Sequence, residues 1–295
     1  NQLGRGWAVA SHLNAVVNTD ELREAYNANL AKLSDYYTEL GQNKAFYDAI
    51  KSLRVSDSSL NEAQLKSLDD SLLSFELSGV ALPEEQKQRY RDISQQLSQL
   101  TSQYSDNVLD ATQIWIKQVT DIALLQGLPE SALEMAAQAA QQRELNGWVL
   151  TLQAPSYIAV MTYADNRALR EELYRAYSTR ASDQSMYPEF DNSALMQRIL
   201  KLRQEEALLL GYATYADLSL ATKMATNPAE VITFLEDLAA RSKPFAVQEY
   251  ADIEVFAKSL GIEMVEAWDV AYISEKIRAQ RFDFTDEDLK PYFPV

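Results

Sequence analysis

Apolar residues recur along most of this chain every three or four positions, the spacing that lines one face of an α-helix. Leu22 is followed by Tyr26, Leu30, Leu33, Tyr37 and Leu40, in steps of 4, 4, 3, 4 and 3. Asn18 stands three residues before Glu21, the N-x-x-E spacing of a helix start, and Asp20 and Glu21 lie where the helix dipole favours acid. Gly41 then reads as a C-terminal cap. A short helix through Phe46, Ile50 and Leu53 comes next. Ser58 and Ser59 are expected to open another, with Leu65, Leu68, Leu72 and Phe75 inward and Gly79 at its close. Pro83, Glu84 and Glu85 suit a first turn, and Tyr90, Ile93, Leu97, Leu100, Tyr104 and Val108 predict a long helix behind them. Such a seam serves a coiled-coil dimer or the interior of the chain's own bundle, and seams this short more often do the second.

The period changes between residues 113 and 153. Ile114-Trp115-Ile116 and Trp148 to Leu152 are short runs of β-branched and aromatic residues, and Pro129 to Glu144 between them is Ala- and Gln-rich. This predicts two strands pairing across an inserted helix. Helices are expected again at Tyr157 to Tyr163 and Arg167 to Tyr177, then a polar loop from Ser178 to Asn192, then helices at about 193–210, 228–242 and 244–260. Asn227-Pro228 and Lys243-Pro244 mark the starts of the last two. The fold class is therefore mainly α, a lobe of helical hairpins with a small β-hairpin-like insertion. Two parts are expected: residues 1–112, and residues 113–295 carrying the β element.

Composition narrows the function. With 43 acidic against 27 basic side chains the net charge is −16, so a phosphate backbone is repelled on average and nucleic acid is an unsuitable partner. The same field favours cationic peptides, although solubility alone accounts for it. There is no cysteine, which removes disulfides and thiolate metal sites and fits a cytoplasmic location. No run of 18 apolar residues is present, so no membrane span is expected, and the first residues show no signal-peptide pattern.

Candidate chemistry is sparse. His12 is the chain's one histidine, in a stretch that reads as an ordinary helix turn. A catalytic triad would have to use it, and an H-E-x-x-H zinc site needs two. The acidic runs Asp69-Asp70, Glu84-Glu85, Glu171-Glu172, Glu205-Glu206 and Asp286-Glu287-Asp288 are adjacent residues, which point about 100° apart on a helix and do not converge on one ion. Neither phosphate-loop nor dinucleotide glycine motifs occur. Arg167, Arg170, Arg175 and Arg180 interleave with Tyr174 and Tyr177, a pattern suited to peptide or anion contact, though Glu171 pairs locally with Arg175 at helix spacing.

The stretch Met161–Ser182 resembles the thimet-oligopeptidase family of zinc peptidases. The blocks Ser11–Asn14, Phe75–Gly79, Asn107–Thr112, Leu220–Ala225 and Trp268–Tyr272 agree in order, as does Leu289–Pro294. The resemblance covers essentially the whole chain. That family carries its His-Glu-x-x-His helix and a third ligand, a Glu, beyond the Pro-Tyr-Phe-Pro block, so no catalytic or metal-ligating residue transfers to any position here. The resemblance implies an N-terminal piece of a zinc endopeptidase whose two helical lobes flank a deep channel that admits short, unfolded peptides. Zinc is then a cofactor of the intact enzyme, with none bound by this piece, and its partners are short peptides and the missing C-terminal catalytic lobe. Arg167, Arg170, Tyr174 and Tyr177 are the residues expected near the channel. The alternatives are a non-catalytic helical scaffold or peptide-binding module, and an enzyme split over two chains.

Overall fold

The computed structural model describes residues 2–56, 59–282 and 292. They form two compact units, residues 1–105 with 194–231, and residues 106–193 with 232–295. The expected single boundary after residue 112 made each part contiguous; each unit is instead assembled from two stretches of chain.

The first unit contains α1 (Gln2–Val16), α2 (Asp20–Gly41), α3 (Lys44–Ser56), α4 (Glu62–Leu77) and the first part of α5 (Glu84–Ile114). It also contains α9 (Ser193–Leu209) and α10 (Tyr215–Leu220). Ion pairing brings the later stretch back: Arg89 on α5 donates to Glu205 on α9 at 2.6 Å, and Arg198 donates to Gln96 at 2.6 Å. Of the seam predicted for α5, Ile93 is wholly buried, while Tyr104 further along is exposed.

Two helix starts differ from expectation by a few residues. Asn18 is left-handed at φ 47, its side-chain Nδ2 donates to the Asn14 carbonyl at 2.5 Å and its backbone N–H to the Leu13 carbonyl at 3.2 Å, closing α1. Thr19 is the cap of α2, its hydroxyl accepting from the Leu22 amide at 3.3 Å. Ser58 lies outside the described residues, and α4 is opened not by Ser59 but by Asn61. The Asn61 side chain accepts from Gln64 N, and the Gln64 side chain accepts from Asn61 N, each at 2.9 Å.

Gly41 is the last helical residue of α2 rather than a left-handed cap; Gln42 caps. Its purpose is close approach. A Cβ at residue 41 would lie 2.5 Å from Ser78 Cβ and 2.6 Å from Ser78 Oγ. Alanine in a helix ordinarily stabilises by roughly 0.5–1 kcal/mol over glycine. Here the obstacle is a side-chain root that cannot swing away, so overpacking of roughly 1–3 kcal/mol wins. Gly41→Ala is expected to lower the thermal midpoint, and adding Ser78→Gly to restore most of it; an unchanged midpoint in the single variant would contradict this packing.

The second unit holds the end of α5, β1 (Ile116–Val119), a 3-10 turn at Ile122–Leu125, α6 (Glu130–Gln141) and β2 (Trp148–Thr151). α7 (Ala154–Tyr163), α8 (Arg167–Thr179), most of α11 (Pro228–Ser259) and α12 (Val270–Phe282) complete it. The strands pair antiparallel across α6 as expected, with Ile116 opposite Thr151 and Val119 opposite Trp148. Ile114 belongs to α5, so the first strand begins two residues later than predicted. Trp115, Leu125, Leu150, Leu152, Val160 and Leu173 meet in the core beneath the hairpin.

Pro244 does not start a helix. α11 is a single helix of 32 residues with Pro244 inside it. An interior proline deprives the carbonyl four residues earlier of its partner. Both Ala240 and Pro244 are exposed, so water takes that carbonyl and the helix continues.

Candidate functional site

α8 is set by Asn166, whose side chain accepts from the Leu169 amide at 3.2 Å. Helical spacing then carries Arg167 and Arg170 to one aspartate about a hundred residues later. Arg167 Nη2 donates to Asp269 Oδ2 at 2.8 Å, and Arg170 Nη2 donates to Asp269 Oδ1 at 2.8 Å. Arg170 is 1% exposed and Asp269 0%. The remaining Arg170 donors are also used, Nη1 on the Ala164 carbonyl at 2.7 Å and Nε on the Trp268 carbonyl at 3.1 Å. Its guanidinium lies 4.0 Å from the Tyr272 ring centre. A buried charge that is so fully bonded is tolerated; left alone it would not be.

Beside this sits a second polar group. Tyr272 Oη donates to Asp165 Oδ1 at 2.7 Å, and Lys276 Nζ donates to the same oxygen at 3.1 Å. Burial pushes the Asp269 carboxyl up, but the Arg167 and Arg170 hydrogen bonds and the Glu266 amide outweigh it and hold it below the ordinary aspartate range. Asp165 is likewise held low, burial being overcome by Tyr272 and Lys276. Burial, then the bond to Asp165, raises the Tyr272 phenol. A carboxylate held this low by bonded guanidiniums is a poor general base, so the cluster clips α8, the 264–269 segment and α12 together instead of supplying acid–base chemistry.

The other two candidates go separate ways. Tyr174 packs against Trp268 at 5.8 Å, with Arg175 at 5.0 Å from the same ring. Tyr177 stacks on Tyr157 at 3.9 Å, and the Arg180 guanidinium lies 3.7 Å from the Tyr177 ring centre. The four residues therefore do not meet in one cleft: two share Asp269, one lies on Trp268, and one belongs to a Tyr–Tyr–Arg stack. Asp269, Trp268, Tyr272 and Asp165 were given no role from sequence. All lie in blocks that carry the family resemblance, and that was the one signal pointing to them.

A catalytic zinc of the kind the resemblance implies takes two imidazoles and a carboxylate. His12, exposed on α1, is the chain's one imidazole. Among the described residues no three His, Cys, Asp or Glu side chains gather as a metal would require. The residues of this chain do not fit that metal. Among the described residues no helix is long and apolar enough to cross a membrane.

Comparison with known proteins gives two family matches. Residues 160–295 match the family model described as peptidase family M3, and residues 1–87 that of the neurolysin/thimet oligopeptidase N-terminal domain. Oligopeptidase A of Escherichia coli is 53% identical over 99% of this chain and 44% of its own length. The probable cytosolic oligopeptidase A of Arabidopsis thaliana is 41% identical over 98% of this chain and 42% of its own. Dipeptidyl carboxypeptidase of Escherichia coli is 30% identical over 99% and 43%. The chain thus spans less than half the length of these curated relatives.

Proposed function

The chain belongs to peptidase family M3, and from that premise we propose that it is the N-terminal portion of an oligopeptidase A-like zinc endopeptidase that hydrolyses short peptides in the cytoplasm. The observation that carries this reading is the 53% identity to oligopeptidase A along 99% of the chain. This portion forms a wall of the substrate channel and restricts substrates by size, while the zinc ligands and the water-activating group come from the remainder of the longer protein. Zinc supplies a water acidic enough to attack the peptide carbonyl at neutral pH. Of the channel candidates, Arg167, Tyr174 and Tyr177 retain exposed surface and act as contacts, whereas Arg170 positions Arg167 through their shared Asp269.

α11 supports a larger whole. Every residue from 232 to 250 is exposed, including Phe234 at 63% and Phe245 at 72%. Large apolar side chains exposed in such number along one helix are ordinarily covered. The test is turnover of an internally quenched short peptide by the longer protein that contains this chain. Cleavage at an internal bond, abolished by a chelator and restored by zinc, is expected; a protein that cleaves no short peptide with zinc present would overturn the reading.

A further inference from the structure

A cleft of about 270 Å³ opens in the second unit between α8 and the segment that follows it. Its floor is made of core residues: Ala111, Trp115 and Leu152 line it, and they are 1%, 6% and 1% exposed. Its charged lining is Glu172, Arg175 and Arg180. Glu172 is neutralised by Lys117, whose Nζ lies 2.8 Å away. The two guanidiniums have capacity left. Among the described residues Arg175 is hydrogen-bonded through Nε, to Glu171, and Arg180 through Nη1, to the Tyr177 carbonyl. With their ion-pair partners included, Arg175, Arg180 and Lys117 stand against Glu171 and Glu172, an excess of one positive charge over this apolar floor in a chain of net charge −16.

The segment bordering the cleft is built to stay in place. The Ser182 hydroxyl donates to the Thr179 carbonyl at 2.7 Å, the Ser185 amide to the Ser182 carbonyl at 3.0 Å, and the Tyr187 amide to the Ser185 hydroxyl at 3.1 Å. Ala181 is held left-handed at φ 52, which for a residue with a Cβ costs roughly 1–2 kcal/mol. It is kept there by Asn192, 1% exposed, whose amide donates to the Ala181 carbonyl at 3.1 Å and whose side chain accepts from Asn107 at 2.9 Å. Strain of this kind persists only where the surroundings over-determine it. A wall ordered before binding loses little entropy when a ligand arrives.

We propose that this cleft binds the C-terminal residue of a short peptide, with its apolar side chain on the Trp115–Leu152 floor and its carboxylate on Arg175 and Arg180. The volume lies below the roughly 300–1,000 Å³ of whole-ligand pockets, so it suits one residue rather than an entire peptide. A guanidinium matches a carboxylate through parallel N–H donors, and the floor selects an apolar side chain on the same residue. The assignment rests on the peptidase reading above and adds the end of the peptide that is held.

The test is calorimetric titration of the 295-residue chain with N-acetyl-phenylalanine, its amide and 3-phenylpropionate. The acid is expected to bind at least tenfold more tightly than the amide. Arg175→Gln and Arg180→Gln are each expected to bring the acid towards the amide, with circular dichroism unchanged, and Arg180→Lys to recover part of the loss. Equal binding of acid and amide, absence of binding by either, or full acid binding in the double Arg→Gln variant would overturn the site. Equal binding of 3-phenylpropionate would overturn the peptide assignment. Peptide turnover by the longer protein is followed in parallel. Intact turnover with no acid preference sinks the cleft alone, and an acid preference without turnover sinks the peptidase reading alone.

Discussion

Asp269→Ala is expected to lower the stability of the second unit by about 3–5 kcal/mol, the cost typical of breaking a buried ion pair from one side. The size follows from what remains. Arg170, 1% exposed, keeps its charge but loses the carboxylate oxygen 2.8 Å from Nη2. The Glu266 amide loses its 3.0 Å acceptor, and Arg167 is left holding the 264–269 segment through the Met264 carbonyl, 3.0 Å from Nη2. Urea unfolding of the 295-residue chain measures this, and a loss below about 1 kcal/mol would contradict the clip. Replacing both partners, Arg170→Met with Asp269→Leu, removes the buried charge as well as the bond and is expected to recover much of the loss. The cycle formed with the single variants isolates the coupling, since the residues are in direct contact.

The same pair has a pH signature. Asp269 and Asp165 are both held below the ordinary aspartate range, so the unfolded chain binds these protons more tightly than the folded one. Their contribution is complete above the unfolded value near 4 and is lost as pH falls below it through the lower folded values. Asp269→Asn therefore costs most at neutral pH and flattens the acid limb of the stability profile.

The 295-residue chain by itself is expected neither to retain zinc nor to turn over peptides, a complete loss relative to the longer protein. The reason is the donor set. His12 is the one imidazole and there is no thiolate, while a catalytic zinc of this class requires two imidazoles, a carboxylate and an open position for water. Carboxylates without nitrogen donors suit calcium or magnesium better than zinc. Dialysis against zinc followed by metal analysis, with a fluorogenic peptide assay alongside, checks it. Stoichiometric zinc after dialysis, or turnover abolished by a chelator, would show the assignment of the ligands to the remainder of the protein to be mistaken. Mass spectrometry must first exclude traces of a full-length host enzyme.

What could be read without a structure was whatever is encoded locally. The stripes of α2 and α5 show because a helix repeats its buried face every 3.6 residues, and the β pair shows because Trp148-Val149-Leu150 and Ile116 interrupt that period with short β-forming runs. The family was legible in Met161–Ser182 and the blocks around it, since residue identity needs no coordinates to be compared. Boundaries were less so. Asn18 and Thr19 both suit a cap, and only the backbone decides that one turns left-handed while the other accepts the Leu22 amide. Pro244 signals a break wherever its lost hydrogen bond cannot be replaced, and exposure, a tertiary property, decided that it could be. The candidate site depended most on the fold. From sequence, Arg167 and Arg170 suited peptide or anion contact because they interleave with tyrosines along one helix. Their partner Asp269 lies 102 and 99 residues away, a distance at which no local pattern operates. Packing α12 against α7 went with complete burial of Arg170 at Asp269, while Arg167 on the same aspartate stays partly in solvent, and no sequence pattern separates the two.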